Sequence, residues 1–221
     1  MSKENADTLE VYDKFAQTYL DNSAVHDNLD KDKARRKRAK LNALLKKSFC
    51  DLPKGSDIFE IGSGDGTNSW YLKGLGYDVT ASDVAPTFID ASKKQGLNAI
   101  KFNALEDDFT KNYSGIFAWR VFVHFTKDDA QKVLDKSYKA LRPGGRFVFN
   151  AINRDYKGID EEWADFPNEY HMGAERYYSY FKEDELREMI GKTDFKIVDF
   201  FKEGGENNDK WLVFVLENPG L

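Results

Sequence analysis

From residue 57 onward the chain alternates short apolar runs with segments of helical spacing, and this alternation limits the possible folds more than any other feature. The segments between the runs carry helix signals, such as Pro86 at a helix start and Thr126 as an N-cap. A repeated strand–helix order implies an α/β fold, in which a parallel sheet carries helices on both faces. The apolar runs that predict strands are 57–62 (DIFEIG), 78–83 (DVTASD), 98–103 (NAIKFN), 115–123 (GIFAWRVFV) and 146–153 (RFVFNAIN).

Two further helices are predicted ahead of this alternation. In 7–22 the apolar side chains recur at spacings of three and four, which is typical of an amphipathic helix. The stretch 30–50 is strongly basic and carries an apolar stripe formed by Leu41, Leu44 and Leu45. Because charge runs on helices usually face water, we interpret the basic face as solvated surface rather than as a nucleic-acid site.

Beyond residue 153 the sequence predicts an irregular segment followed by a C-terminal unit. The segment 153–181 is long and rich in aromatic residues, and its stretch RYYSYF (176–181) fits either an edge strand or a pocket wall. A helix over 182–193 comes next. Strands over 195–201 and 210–217 then flank a turn-rich linker, which indicates a hairpin.

Composition and charge restrict the function classes. A chain of 221 residues can bury the core of one domain, and a net charge of −5 disfavours binding to polyanions such as nucleic acid. The N-terminus is polar, unlike a signal peptide, and no apolar run approaches the roughly 18 residues of a membrane span, so a cytoplasmic protein without a membrane partner is expected. Cys50, the single cysteine, is predicted to be a small core residue. The three histidines lack the spacing of a zinc site, so no metal is expected.

Three glycines at alternate positions, Gly62, Gly64 and Gly66, follow the first predicted strand and precede a helix. Such a bare turn lets a ligand approach the backbone and the helix N-terminus, although a tight turn without a ligand would use the same residues. The spacing differs from the G-x-G-x-x-G of dinucleotide sites, and Glu60 stands two residues ahead. A carboxylate there would repel a diphosphate and attract an ammonium or sulfonium group, which disfavours a nicotinamide oxidoreductase.

Polar residues also end the next two predicted strands. Asp83 could accept hydrogen bonds from both hydroxyls of a ribose or, alternatively, cap the helix that starts at Pro86. Asn103 and Ala104 could read an adenine edge through a side-chain amide and a backbone N–H, or they could form an ordinary polar strand exit.

With these motifs, the run from about residue 57 to 150 resembles the class I S-adenosylmethionine-dependent methyltransferases, and the C-terminal helix and hairpin match that family's antiparallel end. The resemblance implies an α/β, Rossmann-like, seven-stranded, mostly parallel sheet in the order 3-2-1-4-5-7-6, with strand 7 antiparallel. It also implies S-adenosylmethionine (SAM) as the cofactor, lying over the tips of strands 1 to 4.

The resemblance assigns a role to each motif. The three glycines would pass beneath the methionine part of SAM, Glu60 would lie near its ammonium group, and Asp83 would hold its ribose. Asn103 and Ala104 would face adenine, although many relatives have Asp at the position of Asn103. Further cofactor contacts are expected from Ser63, Val84, Leu105, Trp119 and Tyr19.

The resemblance covers most of the chain, so residues 1–221 are predicted to form a single methyltransferase domain. In its N-terminal helix, Tyr12, Phe15 and Tyr19 would close over the cofactor. The expected parts are a helical lid (1–50), a cofactor-binding half (51–152), a substrate-pocket insertion (153–181) and a C-terminal helix with a β-hairpin (182–221).

Two candidate catalytic residues, Arg120 and His124, follow the fourth predicted strand, beside the expected position of the methyl group. His124 is either a general base, since imidazole titrates near neutral pH, or a structural residue packed near the cofactor. Arg120 could bind an anionic substrate or pair with Glu106 or Asp107.

The insertion supplies the predicted acceptor site, because aromatic walls with isolated cations suit a small acceptor that bears an acid or a phenol. The sequence therefore predicts SAM-dependent methyl transfer to an oxygen or nitrogen of a small anionic or aromatic acceptor, by a monomer or homodimer. The alternatives are an RNA or protein methyltransferase, favoured only by the basic helix, and a non-catalytic SAM-binding protein. The candidate substrate-binding residues are Arg154, Tyr170, His171, Arg176, Tyr178 and Tyr180.

Overall fold

The computed structural model describes residues 1–29, 31–165, 173–204 and 209–220. These residues form nine β-strands, seven α-helices and a one-turn 3-10 helix, Phe122–His124. The strands are β1 (Asp57–Ile61), β2 (Asp78–Asp83), β3 (Asn98–Lys101), β4 (Tyr113–Ala118), β5 (Leu141–Asn153), β6 (Glu161–Asp165), β7 (Glu175–Phe181), β8 (Lys196–Glu203) and β9 (Trp211–Glu217). The helices are α1 (Lys3–Leu29), α2 (Lys31–Ser48), α3 (Thr67–Gly74), α4 (Pro86–Lys94), α5 (Lys127–Lys139), α6 (Arg154–Lys157) and α7 (Glu183–Gly191).

The predicted α/β class and strand neighbours are confirmed. Strands β3, β2, β1, β4 and β5 lie side by side and are parallel, as strand–helix alternation requires. Strand β9 pairs antiparallel with β5 on one side and with β8 on the other. Strands β8 and β9 thus form the predicted hairpin and correspond to strands 6 and 7 of the expected order. Strand β9 is the expected antiparallel strand, because it pairs antiparallel with β5.

The predicted count of seven strands is wrong, because the segment 153–181 is not irregular where the structure describes it. It contains the short helix α6 and the antiparallel pair formed by β6 and β7. Strand β7 also pairs in parallel with the last two residues of β5. Residues 176–181 therefore lie in a strand, whose side chains alternate between two faces, but β7 lies between β6 and the end of β5 rather than at the edge of the sheet.

The fourth predicted strand ends earlier than expected. Strand β4 stops at Ala118, and Arg120 adopts a left-handed φ of 62°, which cannot continue a strand. The Arg120 backbone N–H donates to the Asn150 side-chain oxygen at 2.6 Å instead of to a neighbouring strand. The chain then turns into the 3-10 helix that carries His124.

The core lies on both faces of the sheet, as the two-sided burial of a parallel sheet requires. One face is dominated by phenylalanine side chains packed under α5 and α7, and the other receives the predicted leucine stripe of α2, in which Leu45 is fully buried. The basic residues 35–40 of α2 are exposed. Cys50 is exposed too, contrary to the prediction, because Phe49 occupies the buried position at the end of this helix.

No helix in the described part of the chain combines the length and the apolar composition that a bilayer crossing needs.

Candidate active site

The glycine turn after β1 leaves an open face at its centre. Gly62 and Gly64 both have positive φ, at 67° and 54°. A Cβ on Gly62 would lie 2.6 Å from a methyl group of Val121, whereas a Cβ on Gly64 would meet no atom within 4 Å. Gly62 therefore permits close packing, and Gly64 exposes backbone to open space beside the N-terminus of α3.

Asp83, at the end of β2, is tied to this turn. One carboxylate oxygen accepts from the Gly64 N–H at 2.9 Å, and the other accepts from the N–H groups of Val84 and Ala85 at 2.8 and 3.1 Å. Ala85 is the N-cap of α4 and no side chain caps this helix, so the helix-cap interpretation of Asp83 is wrong: its carboxylate binds the backbone just before the helix. Burial raises the pKa of Asp83, and the three N–H donors act in the opposite direction.

Glu60 lies beneath the turn and is almost wholly buried. Its carboxylate accepts from the Ser69 hydroxyl at 2.5 Å and from the Asn68 amide at 3.0 Å, both on α3. Burial raises the pKa of Glu60 to about 7, against the effect of these two hydrogen bonds. A cation placed nearby would favour the charged form of this carboxyl.

The predicted adenine-facing residues form a tight turn two residues after β3. The Asn103 side-chain oxygen accepts from the Leu105 N–H at 3.1 Å, and the Asn103 N–H donates to Asp107 at 2.8 Å. This is the polar strand exit that the sequence allowed as an alternative, and Ala104 is buried within it. The remaining candidate cofactor residues have contacts of their own. Ser63 is buried and its N–H donates to the Ser82 carbonyl oxygen of β2, and Val84 directly follows Asp83. The Trp119 ring stacks on Phe117, and the Tyr19 ring packs on Phe88 of α4.

His124 is the centre of a buried hydrogen-bond cluster. Its Nδ1 lies 2.7 Å from the Tyr177 carbonyl oxygen, which can only accept, so Nδ1 carries the proton. Its Nε2 then accepts from the Tyr12 hydroxyl, which lies at 2.9 Å. Burial, reinforced by the nearby Arg176 charge, lowers the pKa of His124 to about 3. His124 is therefore a neutral imidazole of defined tautomer.

Arg176 completes this cluster. Its guanidinium donates to the hydroxyl groups of Tyr12 and Tyr178 and lies over both rings, with the guanidinium carbon 5.1 Å from each centroid. Arg176 is 4% exposed, so its charge acts in a medium of low polarity. We call Tyr12, His124, Arg176 and Tyr178 the inner cluster.

Helix α1 positions Tyr12 through a stripe of polar residues on the same face. The Asn5 amide donates to the His124 carbonyl oxygen at 3.3 Å, and the Thr8 hydroxyl accepts from the Tyr177 N–H at 3.0 Å. Sequence reasoning placed Tyr12 in a lid and did not connect it with His124. The available signal was the polar series Asn5, Thr8 and Tyr12, spaced by three and four residues along one helix face; Asn5 and Thr8 are buried in the structure, and Tyr12 is partly buried.

The structure brings some of the predicted acceptor residues into this cluster and leaves others outside it. Arg176 and Tyr178 belong to the inner cluster, whereas the Tyr180 hydroxyl donates to Glu162 and Arg154 pairs with Asp160 at 2.7 Å.

Arg120 does not pair with Glu106 or Asp107; its guanidinium carbon lies 5.5 Å from the centroid of the Trp211 ring. Tyr170 and His171 lie outside the described residues. Within the described ranges, no group of three or more His, Cys, Asp or Glu residues could hold a metal ion.

Comparison with known proteins agrees with this geometry. Residues 29–199 match the family model described as a methyltransferase domain. The chain is 28% identical over 149 residues to the ubiquinone/menaquinone biosynthesis C-methyltransferase of Zymomonas mobilis, covering 60% of this chain and 56% of that protein. It is 26% identical over 160 residues to the phosphoethanolamine N-methyltransferase of Plasmodium falciparum, covering 68% of this chain and 58% of that protein. The chain thus spans little more than half the length of these curated relatives.

The fold is similar to that of magnesium protoporphyrin IX methyltransferase from Synechocystis PCC 6803, solved with bound SAM. The TM-score is 0.71 at 14% identity, and the alignment covers 96% of each chain. The family match over most of the sequence, the sheet order and the open glycine turn lead to one conclusion. This chain belongs to the class I S-adenosylmethionine-dependent methyltransferases, whose cofactor is SAM.

Proposed function

We propose that the protein transfers the methyl group of SAM to a nitrogen or oxygen atom of a small acceptor that carries an anionic group. The observation that carries this proposal is the inner cluster, in which a buried guanidinium, a tyrosine hydroxyl and a neutral imidazole are joined by hydrogen bonds. A guanidinium of this kind suits a carboxylate or phosphate, and the Tyr12–His124 pair suits removal of a proton.

The residues around the glycine turn fit the cofactor. The open face at Gly64 admits a ligand against the backbone, and the buried Glu60 carboxyl offers a partner for a cation. Asp83 retains acceptor capacity beyond its N–H partners, because a carboxylate offers about four lone-pair sites and could also accept from ribose hydroxyls. SAM supplies an already activated methyl group on a sulfonium, so the protein has chiefly to align the acceptor and exclude water.

The inner cluster would handle the acceptor's proton. As the acceptor nitrogen or oxygen loses its proton to the Tyr12 oxygen, the Tyr12 proton would pass to Nε2 of His124. The resulting imidazolium would donate through Nδ1 to the Tyr177 carbonyl. Because the Arg176 charge helps to hold down the pKa of His124, an anionic acceptor group beside Arg176 would offset that charge and make His124 a stronger base.

The name of one relative supports an acceptor of this class. One is named for N-methylation of phosphoethanolamine, an acceptor that combines an amine with a phosphate. Others are named for C- or O-methylation in ubiquinone biosynthesis.

The test is an assay of S-adenosylhomocysteine (SAH) formation with paired acceptors that differ in one acidic group: phosphoethanolamine against ethanolamine, and 4-hydroxybenzoate against phenol. We expect turnover with the acidic member of at least one pair and little with its neutral partner. Equal turnover within a pair would contradict the role of the anion. Tight SAM binding without turnover of any acceptor in a wider panel of amines, phenols and acids would favour the non-catalytic alternative.

We expect Gly64→Ala to weaken SAM binding by about tenfold or more, because the added methyl group would occupy the open face of the turn. The left-handed φ of Gly64 should add a stability loss of about 1–2 kcal/mol. Gly144→Ala is the matched control: its φ is 77°, no atom lies within 4 Å of the added Cβ, and it lies near the N-terminal end of β5, whereas Gly64 follows the C-terminal end of β1. Calorimetric titration with SAM should separate the two variants. Equal affinities would place the ligand elsewhere.

We expect SAM binding to weaken as the pH falls below 7, approaching about tenfold per pH unit, because a protonated Glu60 cannot pair with a cation. The raised pKa also implies that Glu60 lowers the stability of the ligand-free protein above pH 7. This loss of folding stability becomes smaller as the pH falls from about 7 towards 4.5, the ordinary pKa of a glutamate side chain. Titrations between pH 5.5 and 7 check the first effect, and Glu60→Gln should flatten the pH dependence. An unchanged slope in this variant would assign the proton to another group.

A further inference from the structure

Arg120 occupies a position that is costly for an arginine. It is the one non-glycine residue with positive φ in the described part of the chain, a conformation that glycine would adopt more readily. Its N–H is held by the buried Asn150 side chain at 2.6 Å, so the turn is fixed in place. Its side chain is exposed. Non-glycine residues kept in such conformations cluster at functional sites, which favours a functional role for the Arg120 side chain.

The Arg120 guanidinium lies over Trp211, which packs in the same group of side chains as Tyr178 of the inner cluster. Trp211 and Tyr178 both pack against the small cluster of Val123, Ile152 and Tyr180. Tyr178 in turn contacts Arg176 and His124, with ring centroids of Tyr178 and His124 5.0 Å apart. The two arginines therefore flank one continuous group of side chains.

The charges around Arg120 leave it available to an anion. Burial raises the pKa of Glu203, the register partner of Trp211, and the Arg120 charge acts in the opposite direction. Lys40 acts on the same carboxylate, and the Lys210 ammonium lies 5.8 Å from the Trp211 ring centroid. No ion pair of Arg120 occurs among the residues that the structure describes. Arg120 and Lys210 therefore both place a cationic group against the Trp211 ring.

We propose that Arg120, stacked on Trp211, binds a second anionic group of the acceptor. The acceptor would be a small molecule with two separated acidic groups, one beside Arg176 and the other beside Arg120. The planar guanidinium suits bidentate binding of a carboxylate or phosphate, and the indole ring holds it in one orientation. This inference rests on the proposed function, because it takes Arg176 as the first anion site.

The test uses simple carboxylates as probes on the full-length protein saturated with SAH, with binding measured by calorimetry. Butyrate supplies one carboxylate; succinate, glutarate and adipate supply two at increasing separation. We expect one dicarboxylate to bind about tenfold or more tightly than butyrate, since the second contact is intramolecular once the first has formed. Arg120→Met should reduce that dicarboxylate to the affinity of butyrate and leave butyrate binding unchanged. Arg120→Lys should retain part of the preference.

Two controls separate the outcomes. Arg187→Met removes another arginine that stacks on an aromatic ring, 4.7 Å from the Phe200 centroid, and should leave all affinities unchanged. Arg176→Met should abolish butyrate binding; if it does not, the anion site of the proposed function is wrong. If butyrate depends on Arg176 but no dicarboxylate is preferred, or if the preference survives Arg120→Met, the proposed function stands and the second site is refuted. Unchanged SAH affinity and melting temperature would show that Arg120→Met folds normally.

Discussion

Replacing Tyr12 by Phe should lower kcat by about 10²–10⁴ with the acceptor that the paired assay identifies, because in the proposed mechanism the Tyr12 hydroxyl passes the acceptor's proton to Nε2 of His124. The substitution keeps the ring that packs on Phe88 and removes only the hydroxyl. Its effect on KM should be smaller, because the Arg176 guanidinium remains in place for the anionic group.

The same experiment includes His124→Asn and the double variant. An Asn amide can still donate towards the Tyr177 carbonyl, as Nδ1 of His124 does, but it offers no basic nitrogen. If Tyr12 and His124 act as one unit, the double variant should lose little more activity than either single variant. Steady-state kinetics and melting temperatures of all three variants provide the measurement.

Tyr77→Phe is the matched control for Tyr12→Phe. The Tyr77→Phe substitution also removes one hydrogen bond, which the buried Tyr77 hydroxyl donates to the Phe49 carbonyl oxygen at 2.6 Å. Tyr77 lies away from the inner cluster. Both variants should lose comparable stability, and only Tyr12→Phe should lose activity. A fall in melting temperature with normal kcat in Tyr12→Phe would assign Tyr12 a purely structural role.

Asp83→Ala should weaken SAM binding by about 1.5–3 kcal/mol, which is the usual range for hydrogen bonds to a charged group. It should also destabilise the ligand-free protein by about 1–3 kcal/mol or more, because the N–H groups of Gly64, Val84 and Ala85 lose their acceptor. A weaker affinity could therefore arise from a distorted turn as well as from a lost ribose contact.

A double-mutant cycle separates these two causes. SAH and its 2′-deoxy analogue are titrated into the wild type and into Asp83→Asn. If Asp83 binds the ribose, loss of the 2′-hydroxyl should matter in the wild type and matter much less in the variant. An equal penalty in both proteins would leave Asp83 as an organiser of the turn alone. Asp57→Asn, which removes a carboxylate paired with Arg142 at the start of β1, should behave like the wild type.

The elements that sequence alone predicted are those whose signals are local. The strand–helix alternation from residue 57, the Thr126 cap of α5 and the leucine stripe of α2 each depend on residues a few positions apart, and the structure confirms all three. The sheet order came from the family resemblance rather than from any local pattern. The cofactor roles of Glu60, the glycines and Asp83 stay predictions, although their positions around one open turn agree with them.

The tertiary structure decided what the local signals left open. Strand β7 formed in a segment predicted to be irregular, because pairing with β6 and β5 depends on distant partners rather than on turn residues. Strand β4 stopped before Arg120 because the side chain of Asn150, on another strand, captures its N–H.

The same reason explains the candidate site. Tyr12, His124 and Arg176 come from three separate parts of the chain and meet only because α1 packs against β7 and the turn after β4. Sequence patterns report the spacing of neighbours, whereas this contact depends on how the helices and strands pack. The sequence by itself thus determined the fold class and the location of the glycine turn, while only the tertiary structure decided which side chains form the inner cluster.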